Sequence, residues 1–295
     1  MRCACIDIGS NTTRLLVADV DADVGAKLLL APVVERRAFT QLGLVCRAGG
    51  AVPEAIRDVL TEVVAEQAGE ARALGAEALR VVATAALRRS ADGLATCHAL
   101  AAAAGAPVEL LSEYDEARLA FTGATCGLAD ADEQPIAVVD VGGGSAQLVV
   151  GTCANGASWS TSLPLGSGDL VANFLANDPP SAGELATLRA TVERMLAGIA
   201  IPPVGRALAV GGSATSLRRL AGPRLTRTAL ERALDALCTA PSGQLARQLS
   251  LAPERARLLP AGIVVLAAVA ERIGPLEIAR GGLREGVLRE LVASA

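Results

Sequence analysis

The sequence predicts an α/β protein built as two similar halves, and three observations carry that expectation. Period-2 apolar runs alternate with helical patterns through the first half in the order βββαβαβα. The second half opens in the same way, with a strand, an Asp-Gly turn and a returning strand. Finally, "IAVVDVGGGSAQLVVG" (Ile136–Gly151) is echoed near the N-terminus by "CIDIGSNTTRLLVADV" (Cys5–Val20). At 295 residues the chain is long enough for about two domains, each with its own core.

In the first half, strands are predicted near Arg2–Ile8, Thr13–Val20 and Lys27–Arg37. A helix is predicted from Pro53 to about Leu74, where Ile56, Val59, Leu60, Val63 and Val64 share one face. Pro53 suits its first turn and Gly75 its end. A strand (Ala78–Ala83), a helix (about Asp92–Ala104), a strand (Pro107–Leu111) and a helix (Glu113–Gly127) complete it. In the second half, strands fit Pro135–Val141, Ala146–Thr152 and Ala157–Leu163, followed by helices in Asp169–Ala176 and Ser181–Ala197. A strand (Gly205–Val210), further helical material between Ser213 and Ile273, a late strand (Leu276–Ala279) and a final helix follow. The short polar stretch Asp130–Gln134 is the expected boundary, giving domains of residues 1–130 and 131–282.

Composition narrows the function classes. The net charge of −4 argues against sequence-independent binding to nucleic acid or anionic membranes, though not against a small anionic ligand. Lys27 is the only lysine, so arginine carries nearly all the positive charge. The longest charge-free apolar helical run, Leu258–Ala270, falls short of the roughly 20 residues of a spanning helix and reads as buried. Asp7 interrupts the first apolar run, which defeats a signal-peptide reading. Seven cysteines without a Cys-x-x-Cys pattern suggest reduced thiols in a cytoplasmic protein. His98 is the only histidine and lies in an alanine-rich helix, so a Ser-His-Asp triad or a His-rich metal site is not expected. Catalysis would run on carboxylates, arginines, backbone amides and metal.

The two Asp-Gly turns are the chemical signal. Glycines 142 to 144 permit positive φ and close backbone approach to a ligand, and successive N–H groups in such a turn form a concave anion site. Ser10, Thr12, Thr13 and Ser145 add hydroxyl donors. The aspartates, Asp7 and Asp140, would repel a bare phosphate but attract one through Mg²⁺, usually across water. Two such turns facing each other would clamp a phosphate chain. The alternative is a pair of hairpins whose glycines only satisfy turn geometry. A third turn, "AVGGSATSLRRL" (Ala209–Leu220), joins a strand to a helix through Gly211, Gly212 and Ser213.

In this order, "DIGSNTTRLLVADV", "VVATAALRR", "LLSEYDEARLAFTGA", "VVDVGGGSAQLVV", "LPLGSGDL", "VGGSATSLRRLAG", "RARLLPAG" and "GGLREGVLREL" resemble the exopolyphosphatase/guanosine pentaphosphate phosphohydrolase family over nearly the whole chain. That family belongs to the actin-like ATPase (sugar kinase/Hsp70) superfamily. The resemblance implies duplicated actin-like (ribonuclease H-like) domains flanking an interdomain cleft. It also implies a C-terminal helix, about 283–295, returning to the first domain. The implied activity is Mg²⁺-dependent release of terminal phosphate from inorganic polyphosphate. Guanosine pentaphosphate is the rival substrate, and a poorly hydrolysing binding or sensory module the rival class. The implied general base is Glu116. The implied phosphate loops are Asp7, Gly9, Ser10, Asn11 and Thr12, and Asp140, Gly142, Gly143, Gly144 and Ser145. Arg88 falls on an arginine of the family's motif, and Asp140, with Asp7, would position the metal. A homodimer is a further expectation.

The residues themselves leave room for plainer readings. Ser112 suits an N-cap with Asp115 placed to close a capping box, and the helix dipole favours acidic residues there in any case. Arg88, at a strand's end beside Thr84, suits bidentate phosphate binding or simple solvation. Arg218–Arg219 and Arg255/Arg257 read as surface charge. Two departures from the family pattern bear on rate and metal affinity. The second loop ends Ser145-Ala146-Gln147 rather than Ser-Thr-Glu, and Thr84-Ala85-Ala86 lacks a hydroxyl. The chain also stops after the two-domain core, so threading of long polyphosphate is in question.

Overall fold

The structure is a computed structural model in which residues 1–21, 29–46, 49–128 and 134–293 are described. The expected start of the third strand at Lys27, most of the expected boundary at Asp130–Gln134 and the last residues of the chain lie outside them. Two compact units are present. One comprises Met1–Glu133, Cys153–Ala157 and Gly281–Ala295, the other Gln134–Thr152 and Ser158–Arg280.

The first unit begins with β1 (Arg2–Ile8), β2 (Thr13–Asp21) and β3 (Leu29–Ala38), paired antiparallel in sequence order. Then come α1 (Leu42–Val45), α2 (Glu54–Ala73), β4 (Ala78–Ala83), α3 (Ala85–Arg89), α4 (Gly93–Ala104), β5 (Val108–Leu110) and α5 (Glu113–Thr125). The sheet order is β3-β2-β1-β4-β5, with β4 parallel to both β1 and β5. Strand alternation divides its core. Ala4, Ile6 and Ile8 pack with Leu60, Val64 and Leu100 of α2 and α4, whereas Cys3 and Cys5 pack with Leu119 of α5 on the other face. Asp7 belongs to that second face.

The second unit repeats this plan. It contains β6 (Ile136–Val141), β7 (Ala146–Thr152), β8 (Gly156–Leu163), α6 (Ser167–Phe174), α7 (Ala182–Leu196), β9 (Arg206–Val210) and α8 (Gly211–Ala221). These are followed by β10 (Arg224–Leu225), α9 (Arg227–Leu237), α10 (Ser242–Leu249), α11 (Pro253–Ile273) and β11 (Leu276–Ile278). The order β8-β7-β6-β9-β11 has the topology of the first sheet, with the two-residue β10 added at its edge. The run Leu258–Ala270 lies within α11 and is buried from Leu259 to Ala270. No described helix is long and apolar enough to cross a membrane.

The last element, α12 (Leu283–Ala293), returns to the first unit and packs on α5, β1, β2 and β4. Leu283, Val287 and Leu288 join the Cys3–Leu119 core. Its crossing with α5 is backbone against backbone. A Cβ on Gly123 would overlap the carbonyl of Gly282, and one on Gly286 would overlap the carbonyl of Leu119. Gly123→Ala is therefore expected to destabilise the protein by about 1–3 kcal/mol through overpacking. Thermal unfolding checks this, and an unchanged midpoint would show that the crossing relaxes freely.

Candidate active site

The two Asp-Gly hairpins close in the same way. In the first, β1 and β2 end at the pair Ile8↔Thr13, leaving a loop of Gly9, Ser10, Asn11 and Thr12. Gly9 N–H donates to the Thr12 carbonyl at 3.0 Å. Two amides at α1 brace the loop from outside, Gly43 N–H donating to Ser10 O at 2.6 Å and Gln41 N–H to Asn11 O at 3.2 Å. In the second, β6 and β7 end at Val141↔Ala146, and Gly142 N–H donates to Ser145 O at 3.0 Å. Here the brace is the start of α6, where Ser167 N–H donates to Gly142 O and Gly168 N–H to Gly143 O, both at 2.9 Å. Gly166 is required by this approach, because a Cβ there would overlap the Gly143–Gly144 backbone.

Register decides what faces each aspartate. Directly paired residues in antiparallel strands project to the same face. Asp7 is paired with Arg14, and Arg14 in turn with Arg37. Asp140 is paired with Gln147. Gln147 is 1% exposed and donates from Nε2 to the Ser145 hydroxyl at 2.7 Å. The residue that replaces a carboxylate of the family pattern is thus buried on the Asp140 face and tied to the loop.

Asp7 Oδ1 is buried and accepts no hydrogen bond among the described residues. Burial pushes its carboxyl above the usual range, against the pull of Arg14 and Arg284. Arg14 is driven down to about 10, first by burial and then by the nearby Arg284 and Arg37 charges. Arg284 of α12 is buried and donates to Leu15 O at 3.2 Å and to Glu35 at 3.1 Å.

Parallel pairing aligns further chemistry beside the first hairpin. Thr84 N–H donates to Ile8 O at 3.2 Å and Leu111 N–H to Ala83 O at 2.9 Å, so the carboxyl ends of β1, β4 and β5 lie side by side. This is where open α/β sheets place their ligands. Arg88 follows β4 and Glu116 follows β5, and the two meet. Arg88 Nη1 donates to Glu116 Oε2 at 2.9 Å and to Leu111 O at 2.8 Å. Their side chains are 19% and 10% exposed, so neither is a solvated surface charge. Ser112 caps α5 by accepting from Asp115 N–H at 3.1 Å. Asp115 accepts from the Ser112 hydroxyl at 2.6 Å. The cap seen is therefore this side-chain pair, Asp being one methylene shorter than the Glu of a capping box.

In the second unit, β6 and β9 run parallel with Asp140 beside Val210. Gly211 then turns with φ +82°, and a Cβ there would overlap Asp140 Oδ1. Gly211, Gly212 and Ser213 form the N-terminus of α8, which favours negative charge. Ser213 is fully buried against Gly262 of α11, with its hydroxyl making no hydrogen bond among the described residues. Arg255, expected at the surface, is instead 7% exposed with its guanidinium against Gly212, because α11 turns Arg255 and Ala256 inward while Pro253 and Glu254 stay exposed. Arg257 caps the α6 end through Asn177 O at 2.7 Å and Leu175 O. Arg14, Arg284 and Arg255 escaped the sequence reading. Only Arg14 had a usable signal, since hairpin register places it opposite Asp7.

Among the described residues no three of His, Cys, Asp and Glu gather into a metal cage. Mg²⁺ keeps several waters and is bound through one or two carboxylates plus phosphate oxygens rather than by an all-protein cage. The buried, unsatisfied Asp7 Oδ1 is a donor of the required kind.

Residues 16–295 match the Ppx/GppA phosphatase family. The chain belongs to that family. It is 34% identical over 251 residues to exopolyphosphatase 2 of Mycobacterium tuberculosis, covering 83% of this chain and 77% of the relative. It is 30% identical over 314 residues to exopolyphosphatase 1 of Mycobacterium leprae, covering 100% of this chain and 91% of that one. The crystal structure of the Aquifex aeolicus Ppx/GppA family member superposes with a TM-score of 0.82 at 27% identity, covering 100% of this chain and 98% of the other. The fold is actin-like, and the chain is a phosphoanhydride hydrolase of the Ppx/GppA type. Gly211→Ala, which must displace the Asp140 carboxylate, is expected to lower phosphate release about tenfold or more with the circular dichroism spectrum unchanged. Full activity would show that the position of Asp140 is immaterial.

Proposed function

We propose that this protein is an exopolyphosphatase that releases terminal phosphate from inorganic polyphosphate in the cytoplasm. The observation that carries the reading is the largely buried Arg88–Glu116 contact beside the first Asp-Gly hairpin. The exopolyphosphatase relatives support the substrate class. Buried free thiols at Cys3, Cys5, Cys46 and Cys97 fit a reducing compartment.

Glu116 accepts a proton from the water that attacks the terminal phosphorus. The new P–O bond forms as the bridging P–O bond breaks, giving phosphate and a chain one unit shorter. Arg88 holds Glu116 in place and turns its remaining donors toward phosphate oxygens. Amides of Gly9–Thr12, Gly142–Ser145 and Gly211–Ser213, with the Ser10, Thr12 and Ser145 hydroxyls, hold the chain. Asp140 and Asp7 would hold Mg²⁺ or a similar cation, directly or through water, and the bound ion supplies neutralisation of phosphate charge. Positioning and charge neutralisation dominate phosphoryl transfer, and a placed base adds typically ~10²–10⁴-fold.

Glu116→Gln is expected to lower phosphate release from polyphosphate with Mg²⁺ by about 10²–10⁴-fold while thermal stability is kept. A folded variant with full activity overturns the base assignment. Guanosine pentaphosphate in competition ranks the two substrates, and preferential hydrolysis of it would replace polyphosphate in the reading.

Gln147 motivates the rival reading of a binding module with little turnover. Gln147→Glu restores a carboxylate beside Asp140 and is expected to raise turnover at limiting Mg²⁺. Tight polyphosphate binding with turnover only in that variant would establish the binding module.

A further inference from the structure

The C-terminal helix α12 reaches both segments whose ends meet at the Arg88–Glu116 contact, β4 and α5. Glu290 accepts a hydrogen bond from Arg80 Nη1 on β4 at 2.8 Å and also pairs with Arg118 Nη1 on α5. Arg80 is held in turn by Glu109 of β5, through Nε at 2.9 Å and Nη2 at 2.7 Å. Arg118 lies two positions beyond Glu116 on one rigid helix, and β4 runs through Thr84 directly into α3 and Arg88. The chain of contacts is closed: β4 to Arg88, Arg88 to Glu116, α5 to Arg118, Arg118 through Glu290 to Arg80, and so back to β4. One turn away, Gly286 of the same helix lies against the Leu119 carbonyl of α5, leaving no room for the helix to slide.

We propose that Glu290 is a positioning residue for the hydrolytic base: by tying β4 to α5 from the C-terminal helix, it sets the register in which Arg88 presents Glu116 to the attacking water. The inference rests on the assignment of Glu116 as base. Its energetics separate it from a structural role. Arg80, Arg118 and Glu290 are 23%, 32% and 28% exposed. Partly exposed ion pairs contribute modestly to stability, and more when linked as here, whereas an ångström of displacement at a reacting group costs up to about 10²-fold in rate.

The test is Glu290→Gln, Glu116→Gln and the double variant in the full-length protein, measured for kcat, KM and Tm on polyphosphate with Mg²⁺. Glu290→Gln is expected to lower kcat about tenfold with KM within about twofold and Tm within a few degrees. In the Glu116→Gln background the same change is expected to have no further effect, because the group it positions is gone. Gly286→Ala, which must push α12 from α5, is expected to reproduce the kcat loss together with a lowered Tm. Wild-type kcat in Glu290→Gln beside an inactive Glu116→Gln overturns the positioning role and leaves the base assignment standing. A loss confined to KM, or equal losses in both backgrounds, also overturns it. An active Glu116→Gln removes the base assignment and this inference with it.

Discussion

A carboxylate near the end of a buried β-strand is the constraint on which the site depends. Burying a charge without compensation is costly enough that the group would ordinarily neutralise itself. Each unit meets the cost differently. In the first, Asp7 faces the Arg14 side of the β1–β2 pair and lies in the field of Arg284 from α12. In the second, Asp140 lies against the Gly211 turn at the N-terminus of α8, where the helix dipole favours negative charge. Both aspartates are half-buried, so solvent adds to these local contributions. Each solution makes the carboxylate a fixed feature of the sheet end, beside a hairpin built mainly of backbone.

The duplication runs deeper than strand order. Both loops span four residues, both close by a first-glycine N–H to fourth-residue carbonyl bond at 3.0 Å, and both are braced by amides at the start of the next helix. The units differ where the chemistry must differ. Only the first surrounds its hairpin with Arg88 and Glu116 at adjacent strand ends. Only the second adds a glycine turn against its aspartate. A carboxylate–arginine pair beside one hairpin and a helix N-terminus beside the other are features that an exact duplication would not give.

How much of this was legible depends on the range of the interaction. Strands such as Arg2–Ile8 and Ala146–Thr152 could be read from the sequence because a short apolar run bounded by turn residues is a local signal, although both are buried almost continuously rather than alternately. The four-residue α1 and two-residue β10 were not legible, being too short to show a period and existing only because α1 braces the first loop and β10 pairs with β11. The Asp7–Arg14 pairing was half legible, since hairpin closure sets the register. The burial of Arg255 was not, because it follows from how α11 packs, far along the chain. The Arg88–Glu116 contact joins segments 28 residues apart, and both residues were singled out without their pairing being foreseen.

Gln147 is best understood through the same constraint. A glutamate there would put a second carboxylate directly across the strand pair from Asp140, and like charges at a paired position repel unless a cation lies between them. Gln147 avoids that repulsion. Its amide donates to the Ser145 hydroxyl and holds the loop's last residue without any cation. What it forgoes is a negative charge on the Asp140 face, a change in local charge rather than in the fold.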